Sequence, residues 1–179
     1  MRLYHILFIL IGLCVTSANA QVHIKNQHYI QLNVGGYDKL IPDLDCYFIQ
    51  AEYGSYNKKL NSSGVAVLYA KKFSSNLIPV EKFQVSLKKD VNVFSSANLT
   101  STFKILGSVN FGYESLNRDK KYIDQDLISN KSGFILGLGT GVEYEFTPIV
   151  IGTRVTYNFL SDYQKFTTYP YLGIKFHLR

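Results

Sequence analysis

Nucleophilic catalysis needs a Ser, Cys or Thr beside a base, and a metal centre needs His, Cys or carboxylates at ligand spacing. The chain holds four histidines and two cysteines. His5 and Cys14 lie in the first twenty residues. His23, His28 and His177 lie near the ends, and none has an evident Ser or Asp partner in the sequence. Cys46, alone once the leader is removed, has no second thiol for a disulfide. No catalytic residue, cofactor or metal ligand is therefore assigned, and no enzyme is expected. What remains is ion-pair chemistry. If the short Thr147-Pro148 link joins antiparallel strands, Glu143 falls level with Gly152 and Arg154 lies diagonal to it. Long side chains reach one another across such a diagonal. Glu143 and Arg154 are read as a structural ion pair on one face of a hairpin.

The elements that hold this pair show the same face. Phe134, Leu136, Leu138, Val142, Tyr144 and Phe146 alternate with Ile135, Gly137, Gly139, Gly141, Glu143 and Glu145. Successive strand side chains point to opposite faces, so this ribbon is greasy on one side and small or polar on the other. Seven further stretches repeat the pattern. They lie near 28–35, 45–56, 64–73, 80–94, 102–114, from 149 onward, and at the C-terminal end. Their links alternate in length. Lys58 to Ser63, Ser96 to Ser101 and Thr147-Pro148 are short, while Gly36 to Leu44 and Leu116 to Lys131 are longer. Membrane barrels have short turns at one end, longer loops at the other, and an even strand number.

The leader decides between a soluble and a membrane sheet. Arg2 supplies a positive start, Leu3 to Val15 is almost wholly apolar, and Ala18-Asn19-Ala20 fits a small-x-small cleavage site. Residues 1–20 are read as a cleaved signal peptide and 21–179 as one domain beginning at Gln21. The apolar run is shorter than the roughly 20 residues of a spanning helix. Bulky Leu13 before Cys14 argues against lipoprotein processing. No later run approaches a spanning helix, so a membrane location requires a closed barrel. Fourteen Tyr, twelve Phe and no Trp favour strands, and tyrosine suits the hydrocarbon boundary. The fold expected is all-β: a single antiparallel up-and-down transmembrane β-barrel of about eight strands. Its inward set reads Gln50, Glu52, Lys104, Asn110, Glu143, Glu145, Arg154 and Asn158.

The net charge is +6, but Lys58-Lys59, Lys71-Lys72, Lys88-Lys89 and Lys120-Lys121 are dispersed. Nucleic-acid binding wants a concentrated basic patch, so no direct nucleic-acid contact is expected. The sequons at Asn61 and Asn98 are read as turn chemistry.

At Phe111 to Lys121 the chain reads FGYESLNRDKK. With Ile78-Pro79, Val85-Ser86-Leu87-Lys88, Ser132-Gly133-Phe134, Gly137, Glu143–Phe146 and Asp162, this run resembles TraO, a conjugal-transfer family of conjugative transposons in Gram-negative bacteria. The resemblance implies a non-enzymatic outer-membrane component of a conjugative transfer apparatus, with lipids and other transfer proteins as partners. The segment Gly112 to Lys131 combines the family-like residues with the longest loop. Tyr113, Glu114, Asn117, Arg118, Asp119, Lys120 and Lys121 are the candidate partner residues. Two alternatives stay open: a general small outer-membrane barrel for adhesion or surface protection, and a soluble lipocalin-like carrier with the apolar face turned inward.

Overall fold

Alternating β-branched, aromatic and small residues build eight strands in the structure, a computed structural model that describes residues 26–73, 78–117 and 131–178. They are β1 (His28–Gly35), β2 (Cys46–Tyr56), β3 (Ser62–Lys72), β4 (Val80–Ser95), β5 (Ser101–Leu116), β6 (Gly133–Phe146), β7 (Ile149–Asn158) and β8 (Phe166–Leu178). Each pairs antiparallel with the next, and β8 returns to β1, which closes the barrel. The cross-strand register from His28 runs through Ser55, Ser63, Lys89, Gly107, Thr140, Val155 and Thr168. It returns at Asp38, whose N–H donates to the Thr168 carbonyl at 2.9 Å, ten residues beyond the start. Such a stagger goes with strands tilted by about 35–45°, and eight strands leave an interior that side chains can fill.

The turns explain where strands stop. Between β2 and β3, the Asn57 Oδ1 accepts from the N–H of Lys59 at 2.9 Å and of Asn61 at 3.1 Å. Leu60 takes a left-handed φ of 61° to complete the reversal. Between β4 and β5, the Asn98 Oδ1 accepts from Ser96 Oγ at 2.7 Å and Thr100 Oγ1 at 2.8 Å. These side chains mimic backbone turn bonds, so the Asn98 sequon does serve turn geometry, whereas the Asn61 side chain accepts instead from the Asn92 N–H on β4 at 2.9 Å. The short links lie at the end where β1 begins and β8 finishes. The longer ones lie at the other, here called the loop end.

Burial alternates along every strand, and its direction decides the class. Leu32, Leu87, Leu138, Ile151 and Leu172 are outward and about half exposed, whereas Gln31, Lys82, Lys104, Glu143, Arg154 and Lys175 are buried inside. Phe134, Leu136 and Leu138, read from the sequence as one apolar face, fall on the outward face, and so do Val155, Tyr157 and Ile174 on β7 and β8. Aromatics ring the wall near the loop end, where Tyr113 packs edge-on against Phe134 at 5.6 Å and Tyr157 lies 4.8 Å from Phe166. A second set near the turn end includes Tyr53, Phe94, Tyr144 and Phe146. An apolar band between aromatic girdles is the exterior of a membrane barrel. The carrier alternative needs the opposite polarity and is excluded.

Candidate functional site

The lumen is filled by an ion network that crosses between strands. Glu143 accepts from Lys175 Nζ at 2.8 Å, Tyr171 Oη at 2.8 Å and Gln31 Nε2 at 2.9 Å. Glu145 takes Lys175 at 3.0 Å and Lys104 at 3.1 Å, with His177 Nε2 at 3.4 Å. Lys88 bridges Glu52 and Asp90, and Tyr29 Oη donates to Glu52 at 2.8 Å. Towards the loop end, Lys82 pairs with Glu114 at 3.3 Å, and Ser161 Oγ donates to the same carboxylate at 2.8 Å. These charges are almost fully buried. Removing one partner of such a pair is costly, while the intact pair contributes little net stability over an apolar core. The network's role is to fix geometry and fill the bore.

The expected Glu143–Arg154 pair is not formed. The register is the one read from the turn, with Glu143 opposite Gly152 and Arg154 opposite Gly141, and both side chains point inward. Gly152, however, offers no side chain. The Tyr171 ring lies across it so closely that a Cβ there would sit 2.5 Å from ring Cζ. Glu143 therefore reaches past β7 to Tyr171 and Lys175 on β8. Arg154 instead donates from Nη1 to Gln50 Oε1 at 3.3 Å on β2. Sequence reasoning had not assigned Lys82, Lys88, Asp90, Lys175 and His177 to the network, although each alternates with outward apolar residues of its own strand, such as Phe83 and Leu87 on β4 and Ile174 and Phe176 on β8.

A second assembly closes the loop end. Tyr37, fully buried, stacks on Tyr169 at 5.4 Å, and Phe48 meets Tyr169 edge-on at 5.2 Å. Ala70, Val80 and Leu116 complete this apolar plug. Asp38 fastens it: it accepts from Thr168 N–H at 2.7 Å, from Lys72 Nζ at 2.9 Å and from Gln164 Nε2. Burial alone would raise the Asp38 carboxyl, but the bonds from Thr168, Lys72 and Gln164 outweigh it and hold it below the usual carboxylate range. Beyond this anchor Lys39 pairs with Asp43, and Asp43 accepts the Cys46 N–H at 2.6 Å. Between those fixed points Leu40, Ile41 and Leu44 are 75–85% exposed.

The candidate partner residues separate. Tyr113 lies on the outer wall against Phe134. Glu114 and Asn117 are only 1% and 3% exposed, which corrects their expected place on a contact surface. Strand β5 continues to Leu116, so parity turns Glu114 into the lumen, and Asn117 N–H is held by the Pro79 carbonyl at 2.9 Å. Arg118, Asp119, Lys120 and Lys121 lie outside the described residues. Among the described residues no group of three His, Cys, Asp or Glu side chains could hold a metal ion.

An eight-stranded antiparallel barrel, apolar outside and filled with paired charge inside, defines the class: a small barrel of the outer-membrane type. Solved structures share the fold. Neisserial surface protein A matches with a TM-score of 0.58 at 13% identity, covering 83% of this chain and 95% of that one. A major outer membrane protein of Thermus thermophilus gives 0.52 at 12%, covering 87% and 100%. The Yersinia pestis outer membrane protein Ail in a nanodisc gives 0.51 at 14%, covering 85% and 100%. Among curated proteins none matches the sequence significantly. The family described as conjugative transposon protein TraO matches residues 22–178, and the chain belongs to that family.

Proposed function

We propose that this protein is a non-enzymatic outer-membrane component of a conjugative transfer apparatus in a Gram-negative bacterium. Residues 1–20 direct export and are cleaved, and residues 21–179 form the barrel. It supports DNA transfer between cells through contacts with other transfer proteins, without binding DNA. The observation that carries this reading is family membership over 22–178 in a barrel whose bore is occupied by its own side chains. Membership supports the process, and the filled bore supports a scaffold rather than a conduit. The apolar band and aromatic girdles support placement among outer-membrane lipids. Contacts are assigned to the charged segment containing Arg118, Asp119, Lys120 and Lys121, and to the tip with Leu40, Ile41 and Leu44. Rigid scaffolds commonly present binding residues on loops.

A mating assay tests it. Donor cells lacking the gene are complemented with wild-type protein, with residues 118–126 replaced by Gly/Ser, or with Leu40, Ile41 and Leu44 changed to Ser. Deletion should abolish or sharply reduce transfer, and wild type should restore it. At least one loop variant should fail to restore it while still reaching the outer membrane. Unchanged transfer on deletion would reject the reading in favour of a general adhesion or protection barrel. Full restoration by both variants would move the contacts to the turn end. Carbonate washing should leave the protein in the membrane fraction with Gln21 at its N-terminus.

A further inference from the structure

A polar group that faces hydrocarbon needs a partner from the protein or from the lipid headgroups. The outward register row from His28 runs through Ser55, Ser63, Lys89, Gly107 and Thr140, and each of these is polar or small. The next outward row towards the loop end is Ile30, Tyr53, Val65, Leu87, Val109 and Leu138. On the turn side Val91, Ile105 and Val142 flank it. Lys89 thus stands exposed in an apolar wall. Its neighbours in the row, Ser63 and Gly107, are small, and a Cβ on Gly107 would meet only the Lys89 carbonyl, at 3.4 Å. Thr140 satisfies its own hydroxyl on the Leu106 carbonyl at 3.1 Å. The Lys89 ammonium and the Ser63 hydroxyl have no hydrogen-bond or ion-pair partner among the described residues.

The row climbs from the turn end, gaining ten residues over eight strands before it reaches Asp38. Lys89, on β4, therefore lies roughly 10 Å above the level of His28. Ser63 and Ser55 continue the row down towards that level, and the flexible lysine stem can lower its ammonium along them to the headgroups. Lys58 and Lys59 are exposed in the turn between β2 and β3, below the same strands. Among the described residues every carboxylate either is buried in the lumen or lies at the loop end. Nothing on this face can receive an ammonium headgroup, and a second copy docked symmetrically on the row would bring the two Lys89 side chains together. We propose that the β2–β4 wall at the turn end binds an anionic phospholipid of the periplasmic leaflet, with its phosphate on Lys89 and Ser63 and its acyl chains over Val65 and Leu87. The inference rests on the membrane placement proposed above, in which short turns face the periplasm, and not on the role in transfer.

The chain has no tryptophan, so one introduced residue reports on one patch of wall. Leu87→Trp places it beside Lys89, and Leu172→Trp places it on the far wall between Val34 and Ile151. The two positions are matched in exposure, at 54% and 53%. Each refolded protein is inserted into phosphatidylcholine vesicles containing either brominated phosphatidylglycerol or brominated phosphatidylcholine, and the quenching is compared. With Leu87→Trp, phosphatidylglycerol should be preferred about fivefold; with Leu172→Trp, the two lipids should quench alike. Adding Lys89→Leu, which suits a lipid-facing wall, should remove the preference, whereas Lys89→Arg should keep it. Equal quenching by both lipids with Leu87→Trp, an equal preference at both positions, or a preference that survives Lys89→Leu would overturn the proposal. So would a Leu87→Trp signal that neither lipid quenches while Leu172→Trp is quenched, which would mark the face as covered by protein. Quenching at neither position would overturn the membrane placement as well.

Discussion

Lys175→Met removes the cation that joins the two central carboxylates of the lumen. It deletes contacts of 2.8 Å to Glu143 and 3.0 Å to Glu145 in a region closed to solvent. Breaking a buried pair from one side costs about 3–5 kcal/mol. Glu143 keeps Gln31 and Tyr171 as donors, each worth about 1 kcal/mol, and Glu145 keeps Lys104. The expected cost is therefore about 3 kcal/mol, the lower end of that range. With a urea slope of about 2 kcal/mol/M, the unfolding midpoint should fall by roughly 1.5 M. Reversible urea unfolding of the refolded barrel in lipid vesicles, followed by tyrosine fluorescence, reads this directly. The cycle with Glu143→Gln should show a coupling of about 1.5–3 kcal/mol, whereas Glu143→Gln with Arg154→Met should add within about 0.5 kcal/mol. A Lys175→Met cost below about 1 kcal/mol, or equal coupling of Glu143 to both cations, would refute the network.

Two further outcomes follow from the wall and the loop-end clamp. Leu138 is outward and 52% exposed, so Leu138→Arg should cost about 2–4 kcal/mol near the midplane; Gly139→Ser, facing a rotatable Ser108 hydroxyl, should assemble far better, and equal yields of heat-modifiable folded protein would reverse the two faces. Asp38 has a depressed carboxyl pKa, so its clamp is fully present above its unfolded value of about 3.9 and is lost as pH falls through the lower folded value. Limited proteolysis of the 36–45 loop should stay constant from about pH 7 to 5 and rise only below about pH 4, and a rise already complete at pH 6 would contradict the clamp.

The strands and their faces were legible because period-two alternation is strong where a wall separates lipid from a polar bore. Phe134 to Phe146 show it directly. The choice of partners inside was not legible. A hairpin register relates Glu143 only to neighbours on β7, whereas its actual cation comes from β8, reached over the bare Gly152. That reach depends on the closure and stagger of all eight strands, which no local stretch contains. Glu114 was a different kind of miss. Its parity with Gly112 and against Tyr113 pointed inward, but the family-like run around it drew it into the loop. The plug made by Tyr37, Phe48 and Tyr169 joins a loop to two distant strands, and no sequence spacing signals it.

The claim that the barrel is a closed scaffold is tested most directly by conductance of the purified monomer in a planar lipid bilayer. Among the described residues the ion network from Glu145 to Lys82 and the plug at Tyr37 occupy the bore, and duplex DNA is far wider than an eight-stranded bore. The expected record is a quiet membrane with no stable large-conductance steps at any protein concentration that inserts. Reproducible porin-like steps from the monomer would contradict the filled lumen and the scaffold role built on it.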